Sequence, residues 1–152
     1  MADDTELIPR VFFIVGRARW GKSWTFRALT GGLQRSTQIR GLTFVVKRRS
    51  NDDIDGEWLE LIDGLDPDAA PYVLVAMCPE MDTLPALERM RRRGYQLFFW
   101  VIGERSDGGR GRTITEDEVS PFGRLGLTEF CRQPADEGDR AKQLKAFIED
   151  QL

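Results

Sequence analysis

VFFIVGRARWGKS, the segment from Val11 to Ser23, passes directly from five consecutive apolar residues into a loop rich in glycine and arginine. The apolar residues Val11 to Val15 predict a strand that is buried on both faces, as in a parallel sheet. The loop fits the pattern G-x-x-x-x-G-K-S, in which the glycines let backbone N–H groups surround a polyphosphate. A helix that starts directly after the loop adds partial positive charge at its N-terminus. The segment therefore predicts a phosphate-binding loop between a strand and a helix.

The residues of this loop have individual predicted roles. Lys22 is expected to reach the β- and γ-phosphates of a nucleotide, and the Ser23 hydroxyl is expected to bind Mg²⁺. Trp24 follows Ser23 directly and has two interpretations, of which packing against the sheet is favoured over stacking on a base. The predicted nucleotide-contacting residues are Gly16, Arg17, Ala18, Arg19, Trp20, Gly21, Lys22, Ser23 and Trp24.

The composition is typical of a single domain without a membrane span. The chain has 152 residues, 41% of them hydrophobic, and we expect residues 1–152 to form one domain in which residues 1–9 fray. No apolar run is long enough to cross a membrane and the acidic start does not resemble a signal peptide, so a cytoplasmic protein is expected. The absence of histidine excludes histidine-based acid–base catalysis and most zinc sites. Cys78 and Cys131 lie in or beside apolar runs and are expected to be buried free thiols.

Charge is unevenly distributed along the chain, whose formal net charge is −3. The segment Leu7 to Asn51 contains ten Lys or Arg residues and no acid, whereas Asp52 to Glu88 contains eleven acids and no Lys or Arg. Three interpretations are open. The two segments can form facing or opposite solvated surfaces, the basic one can surround the phosphate loop and suit nucleotide or nucleic acid, or complementary patches can drive self-association.

Apolar and amphipathic segments alternate along the chain and predict an α/β fold. We expect three layers, α/β/α, around a mainly parallel sheet of about five strands. The predicted strands are Val11–Val15, Leu42–Lys47, Tyr72–Met77, Gln96–Ile102 and Leu127–Cys131. The predicted helices run from about Lys22 to Gly31, over Asp55–Leu65, over Thr83–Arg93 and from about Asp136, and segment 113–126 is expected to be irregular apart from a helical turn at Glu116–Val119. The residues expected to face inward from the first three helices are Trp24, Ala28, Leu29, Trp58, Ile62, Leu65, Leu84, Leu87 and Met90.

Acidic residues follow two of the predicted strands at the edge of the sheet where open α/β folds bind ligands. Asp52 and Asp53 are candidates for holding Mg²⁺ through water or orienting a substrate hydroxyl, and they equally suit a turn or a helix cap. No acid directly follows Tyr72–Met77, so Glu80 is preferred as the functional acid, with Asp82 as a second candidate that also suits a helix N-cap. The predicted catalytic residues are Lys22, Glu80 and Asp52, and the predicted metal ligands are Ser23, Glu80 and Asp82.

A segment rich in glycine and arginine follows the fourth predicted strand. Its arginines, between Arg105 and Arg112, would emerge at the same edge of the sheet as the phosphate loop. Two interpretations stay open: a loop that closes over the nucleotide and places an arginine on the transferred phosphoryl group, and a loop without such a role.

The phosphate loop and the order of the predicted elements resemble those of the P-loop NTPases. The motif itself covers only Gly16–Ser23, and the remaining similarity is one of architecture. The resemblance implies phosphate binding by Gly16, Gly21 and Lys22, and Mg²⁺ binding by Ser23. The acid that the family usually carries directly after the third strand is absent here.

Three groups within that superfamily share single features with this chain. Arg17 stands where plasmid-partition ATPases carry a lysine, and an arginine there would contact phosphate across a homodimer. Asp52, Asp53 and the segment Arg105–Arg112 stand where small P-loop kinases place an acid and an arginine-rich lid. The guanine-reading motif of GTPases is matched only at Asp107, so ATP is favoured over GTP as the ligand.

These features lead to three hypotheses about function. The first is a Mg²⁺-dependent ATP-binding NTPase with slow hydrolysis, acting as a switch or motor component with partners, in DNA or plasmid maintenance for example. The second is a kinase for a small molecule or nucleotide, and the third is a non-catalytic interaction domain that retains the loop as an anion site. A homodimer and a protein or DNA partner are left open.

Overall fold

The computed structural model describes residues 8–16, 22–32, 35–51, 56–102, 114–131 and 137–152, without the side chains of Ser23, Trp24 and Glu137. Residues 1–7, which were expected to fray, lie outside this described part of the chain. The described residues form six strands: β1 Arg10–Val15, β2 Ser36–Ile39, β3 Leu42–Lys47, β4 Tyr72–Met77, β5 Gln96–Val101 and β6 Gly126–Phe130. They also form five α-helices: α1 Lys22–Thr30, α2 Gly56–Asp63, α3 Leu84–Arg92, α4 Glu116–Gly123 and α5 Glu137–Asp150. A short 3₁₀ turn, Met81–Thr83, leads into α3.

The six strands form one mixed sheet in the order β2-β3-β4-β1-β5-β6. β1 lies between β4 and β5 and is parallel to both, with Val15 level with Met77 on one side and with Val101 on the other. The pairs β3–β4 and β5–β6 are also parallel, and only β2 runs antiparallel to its neighbour β3. The carboxyl ends of β3, β4, β1, β5 and β6 therefore all meet at one edge of the sheet, here called the carboxyl edge.

Aromatic side chains fill both sides of this sheet. Phe12 stacks on Phe98 with ring centroids 4.7 Å apart and meets Phe147 of α5 edge-on, whereas the next residue of β1, Phe13, stacks on Phe99 at 5.1 Å. Phe99 in turn contacts Phe122 of α4 on this second side. Successive strand residues point to opposite faces, so the alternation assigns α5 and α4 to opposite sides of the sheet.

The helices divide between the two faces in the same way. α1 packs against α5, and α2 packs against α3. From β1 the chain moves along the sheet towards β3, and from β3 it then moves in the opposite direction through β4 and β5 to β6. Crossover connections between parallel strands are right-handed. The helix after β1 therefore lies on one face, and the helices after β3, β4 and β5 lie on the other. The arrangement is α/β and is consistent with three layers.

β2, which brings the number of strands from the predicted five to six, was not predicted from the sequence. It is only four residues long, STQI, three of its side chains are wholly or partly exposed, and it forms the edge of the sheet. A two-residue turn of Arg40 and Gly41, with φ of 53° and 78°, joins it to β3. Such a turn, with positive φ at both central residues, matches the twist of an antiparallel pair. The other five predicted strands are confirmed, with ends that differ by one residue at most.

The helix predictions are confirmed in part. Trp58 and Ile62 of α2, together with Leu65 just after it, are buried as predicted, and so are Leu87 and Met90 of α3, whereas Leu84 is only partly buried. The helical turn predicted at Glu116–Val119 is present and extends to Gly123 as the two-turn helix α4, so segment 113–126 is less irregular than expected. The N-terminus of α4 has a capping box between Thr115 and Glu118. None of the helices among the described residues is both long and apolar enough to pass through a bilayer.

The prediction that Ala28 faces inward was wrong. Ala28 is exposed, and the buried residues of α1 are Lys22, Thr25 and Phe26, with Leu29 partly buried. These positions follow the i, i+3, i+4, i+7 spacing of one helix face, from which Ala28 is excluded. The prediction for Trp24 falls on a side chain outside the described part of the structure.

Candidate functional site

The candidate site lies at the carboxyl edge, between β1 and β4. The helices that follow these two neighbouring strands, α1 and α3, leave towards opposite faces of the sheet. In open α/β sheets a ligand crevice is expected beyond the strand ends at such a point. The Gly16 N–H donates to the Met77 carbonyl at 3.0 Å, and the Ile102 N–H donates to the Val15 carbonyl at 2.7 Å. The ends of β4, β1 and β5 are thus fixed against one another where the chain enters the predicted phosphate loop.

Lys22 begins α1 and points back to the carboxyl edge. Its side chain is 6% exposed, and its Nζ donates a hydrogen bond of 2.7 Å to the Gly16 carbonyl. A Cβ atom at Gly16 would lie 3.3 Å from Cγ of Lys22 and 3.6 Å from Cβ of Ile102. A side chain at position 16 would therefore press on the lysine, which explains glycine at this position. The structure brings together the predicted residues Gly16 and Lys22.

Asn51 fixes the exit of β4, a role that sequence reasoning missed. Its Nδ2 donates to the Cys78 carbonyl at 3.2 Å, and its Oδ1 accepts from the Cys78 N–H at 2.6 Å. The side-chain amide of Asn51 therefore makes the same two hydrogen bonds to the backbone of Cys78 that the backbone of a neighbouring strand would make. Trp58 adds a further bond from its Nε1 to the Ala76 carbonyl, 3.0 Å away. No local signal marks this contact, because Asn51 and Cys78 are 27 residues apart and an asparagine before two aspartates is also ordinary turn material.

The two predicted acids after β4 have different surroundings. Glu80 is exposed and its Oε1 accepts from the Cys78 thiol, with 3.7 Å between oxygen and sulfur, so its carboxylate lies beside the fixed exit of β4. Asp82 is exposed in the middle of the 3₁₀ turn, and the N-cap residue of α3 is Thr83, so the helix-cap interpretation of Asp82 was wrong. Pro85 lies in the first turn of α3, where a missing backbone N–H costs nothing.

The remaining predicted site residues lie outside the described part of the structure. These are Arg17 to Gly21, the side chains of Ser23 and Trp24, the pair Asp52 and Asp53, and the segment Arg105–Arg112. Their roles stay predictions. The described residues contain no group of three or more Cys, Asp or Glu side chains that could hold a metal ion.

Two cysteines and an arginine are further buried groups near this edge. Cys78 follows β4 and Cys131 follows β6, and both are buried free thiols as predicted. Arg140 has no solvent exposure and lies in the first turns of α5, the helix that packs against α1. The sequence analysis did not single out Arg140, because an arginine near the start of a charged helix gives no local sign of burial.

Comparisons with known proteins assign no family to this chain. No protein family, no curated protein and no solved structure matches it.

Proposed function

We propose that this chain is a Mg²⁺-dependent ATP-binding protein of the P-loop NTPase type that works as a switch with partners. The observation that carries the proposal is the placement of Lys22, whose Nζ is buried against the Gly16 carbonyl at the crevice between β1 and β4. A buried ammonium group is costly to maintain, so its position calls for a function.

A phosphate oxygen is a stronger partner for this ammonium group than a neutral carbonyl. A phosphate oxygen carries negative charge, so its contact with the ammonium group adds a Coulomb attraction that the neutral Gly16 carbonyl does not supply. An incoming β- or γ-phosphate can take over the bond that Nζ now makes with Gly16, while Gly16 keeps its N–H bond to Met77. The first turn of α1 directs partial positive charge to the same place.

The Mg²⁺ ion would be held by the Ser23 hydroxyl and, directly or through water, by Glu80, whose exposed carboxylate lies beside the exit of β4. When bound, it supplies charge neutralisation for the phosphate oxygens. Glu80 or Asp52 would orient the attacking water, and catalysis would rest on position and charge rather than on a histidine base, which the chain lacks.

Nucleotide binding by wild type and by Lys22→Ala tests the proposal. Titration calorimetry should show that wild type binds ATP with Mg²⁺, and that the substitution weakens binding about 100-fold, because a charge-assisted bond contributes roughly 3 kcal/mol. Lys145→Ala, which removes an exposed lysine from α5, is the matched control and should bind like wild type.

Two further measurements complete this experiment. Removal of Mg²⁺ with a chelator should weaken ATP binding in wild type, and phosphate release under the same conditions separates turnover from binding alone. A wild-type protein that binds neither ATP nor GTP in the presence of Mg²⁺ would overturn the proposal.

A further inference from the structure

A groove lined by positive side chains lies at the outer corner of the sheet, where the β2–β3 hairpin meets α2. It encloses about 690 Å³. Its walls carry four cations, Arg35, Lys47, Arg48 and Arg49, and its apolar floor is formed by Val45, Val46 and Leu61. We call this surface the basic groove.

The cations of the basic groove are not neutralised within the described part of the chain. No ion pair between described residues involves any of the four, and none of the described residues that line the groove carries a carboxylate. Arginines elsewhere on the surface do have carboxylate partners: Arg89 bonds Asp63 at 2.8 Å and Arg40 lies 3.6 Å from Glu149. Three of the four groove cations are also consecutive in sequence, so their mutual repulsion would be offset by an anionic partner.

Uncharged hydrogen-bonding side chains extend the groove along the hairpin. Ser36 is directly opposite Val45, and Gln38 is directly opposite Thr43. Residues directly opposite in an antiparallel pair share one face, so Ser36, Gln38 and Thr43 continue the side of the hairpin that Val45 and Lys47 occupy. All three are exposed. Hydroxyl and amide groups beside arginines are the side chains that proteins use to contact phosphates and sugars.

The chemistry of this surface favours nucleic acid over another protein. Protein interfaces depend on large apolar or aromatic anchors at their centre. Among the described residues that line the groove, Leu61 is the only large apolar residue that is well exposed, at 41%. Interfaces with nucleic acid are more polar and much more positive. Arginine is suited to phosphate because its guanidinium group can make two parallel hydrogen bonds.

We propose that the basic groove, with Ser36, Gln38 and Thr43, binds the sugar–phosphate backbone of a nucleic acid without reading its sequence. None of the described residues that line the groove is aromatic, so the proposed contacts are with phosphate rather than with stacked bases. The proposal does not depend on nucleotide binding at Lys22. The two regions are nevertheless joined, because Arg49 is followed by the buried Ser50 and then by Asn51, which fixes the exit of β4.

Binding of a labelled oligonucleotide of mixed sequence, measured by fluorescence anisotropy without ATP, tests the proposal. Wild type should bind single strand or duplex, and the logarithm of its association constant should fall with the logarithm of salt concentration with a slope of about −3, as four phosphate contacts require. The double variant Arg48→Ala/Arg49→Ala should lower affinity more than tenfold and reduce the slope by about 2.

A matched control removes the same charge elsewhere. Arg91→Ala/Arg92→Ala, on the exposed end of α3, should bind like wild type. Arg35→Ala, on a different segment of the groove wall, should reduce the slope by about 1 and serves as the second variant if the double variant unfolds. Lys22→Ala should keep oligonucleotide binding, so failure of ATP binding and failure of this proposal are distinguishable.

Several outcomes would overturn the proposal. If wild type shows no salt-dependent binding, the cations only keep the edge of the sheet from pairing with another chain. Equal losses in the groove variant and in the α3 control would mean that overall charge, not the groove, is responsible. Polyglutamate that competes as well as nucleic acid would identify an acidic protein partner, and a wild-type dimer that the groove variant dissociates would identify a second copy of this chain.

Discussion

Lys22 and Asn51 fix the carboxyl edge with one side chain each. Lys22 holds the start of α1 to the end of β1 through Gly16, and Asn51 holds the end of β3 to the end of β4 through Cys78. Each contact reaches a residue just beyond a strand end, Gly16 or Cys78, where an open α/β sheet would otherwise be loosest. Their effect is to present the crevice in a defined geometry before any ligand arrives.

Replacement of Asn51 by alanine should destabilise the protein measurably. It removes two hydrogen bonds to the backbone of Cys78, one of them 2.6 Å long, and we expect the free energy of unfolding to fall by about 2 kcal/mol. Urea denaturation measures this change. Gln38→Ala removes an exposed amide from β2 and should change stability by less than about 0.5 kcal/mol. An Asn51→Ala protein as stable as the Gln38→Ala control would contradict the role of Asn51 in holding the end of β4.

These two residues also show what the sequence can and cannot reveal. The prediction for Lys22 used a local pattern, since Gly16 and Lys22 are six residues apart and the loop between them has a fixed spacing. The partner of Asn51 depends on how β3 and β4 come together, and nothing within a short window indicates it. Residues whose roles depend on tertiary contacts, such as Asn51 and Arg140, are therefore the ones that the sequence analysis missed.

At the scale of whole elements, the central strands were easier to predict than the edge strand β2. β1 and β4 are buried along nearly their whole length and therefore appear in the sequence as uninterrupted apolar runs. β2 has one buried residue, Ile39, in four, so it lacks both an apolar run and the length that would reveal alternation. Its presence depends on the Arg40–Gly41 turn and on pairing with β3.

The other edge strand, β6, depends on a glycine. Gly126 is directly opposite Leu97 of β5, and a Cβ atom at position 126 would overlap the Leu97 carbonyl group. Gly126→Ala should force the start of β6 away from β5 and lower the free energy of unfolding by about 2–3 kcal/mol, since backbone atoms cannot move aside as a side chain can. Thermal denaturation followed by circular dichroism measures the change.

Gly123→Ala is the matched control for that experiment. A Cβ atom at Gly123, the last residue of α4, would meet only the Thr128 hydroxyl at an ordinary 3.8 Å. The control should be neutral or slightly stabilising because alanine restricts the unfolded chain. Equal effects of the two substitutions would show that β6 does not approach β5 as closely as the structure describes.

For the molecule as a whole, the carboxyl edge and the opposite edge, where the parallel strands begin, carry different groups. The carboxyl edge carries Lys22, Glu80 and the end of the basic groove. The opposite edge carries contacts that only join segments, such as the bonds from the Arg10 N–H to the Pro71 carbonyl and from the Gln96 N–H to the Pro9 carbonyl. Substitutions at the opposite edge should therefore change stability without changing ligand binding.

Tyr95, which lies just before β5 at this opposite edge, makes the stability of the protein depend on pH. Its hydroxyl donates to the Ala70 carbonyl at 2.6 Å. Burial, assisted by the charge of Asp66 and opposed by Arg93, raises the pKa of Tyr95 from 10.0 to about 12. The folded protein thus keeps this proton at pH values where the unfolded chain has lost it. The stabilisation is complete below pH 10 and decreases as the pH rises towards about 12.

Tyr95→Phe isolates this contribution. At neutral pH the variant should be less stable than wild type by about 1 kcal/mol because the bond to Ala70 is lost. The difference between the two proteins should shrink as the pH rises from 10 to about 12, since only wild type loses the tyrosine contribution there. Urea denaturation at a series of pH values measures the difference, and a difference that stays constant across this range would contradict the raised pKa.

The amide at position 51 has a consequence for how long the exit of β4 stays fixed. Asparagine side chains are among the thermally labile groups of proteins, and loss of the amide nitrogen converts asparagine to aspartate. At Asn51 this conversion would replace the donor to the Cys78 carbonyl with a carboxylate oxygen, so an attraction would become a repulsion. Asn51 and Cys78 both lie outside the six strands, so the conversion changes no residue of the sheet itself. Chemical ageing would therefore release the exit of β4 and impair the site in protein that remains folded.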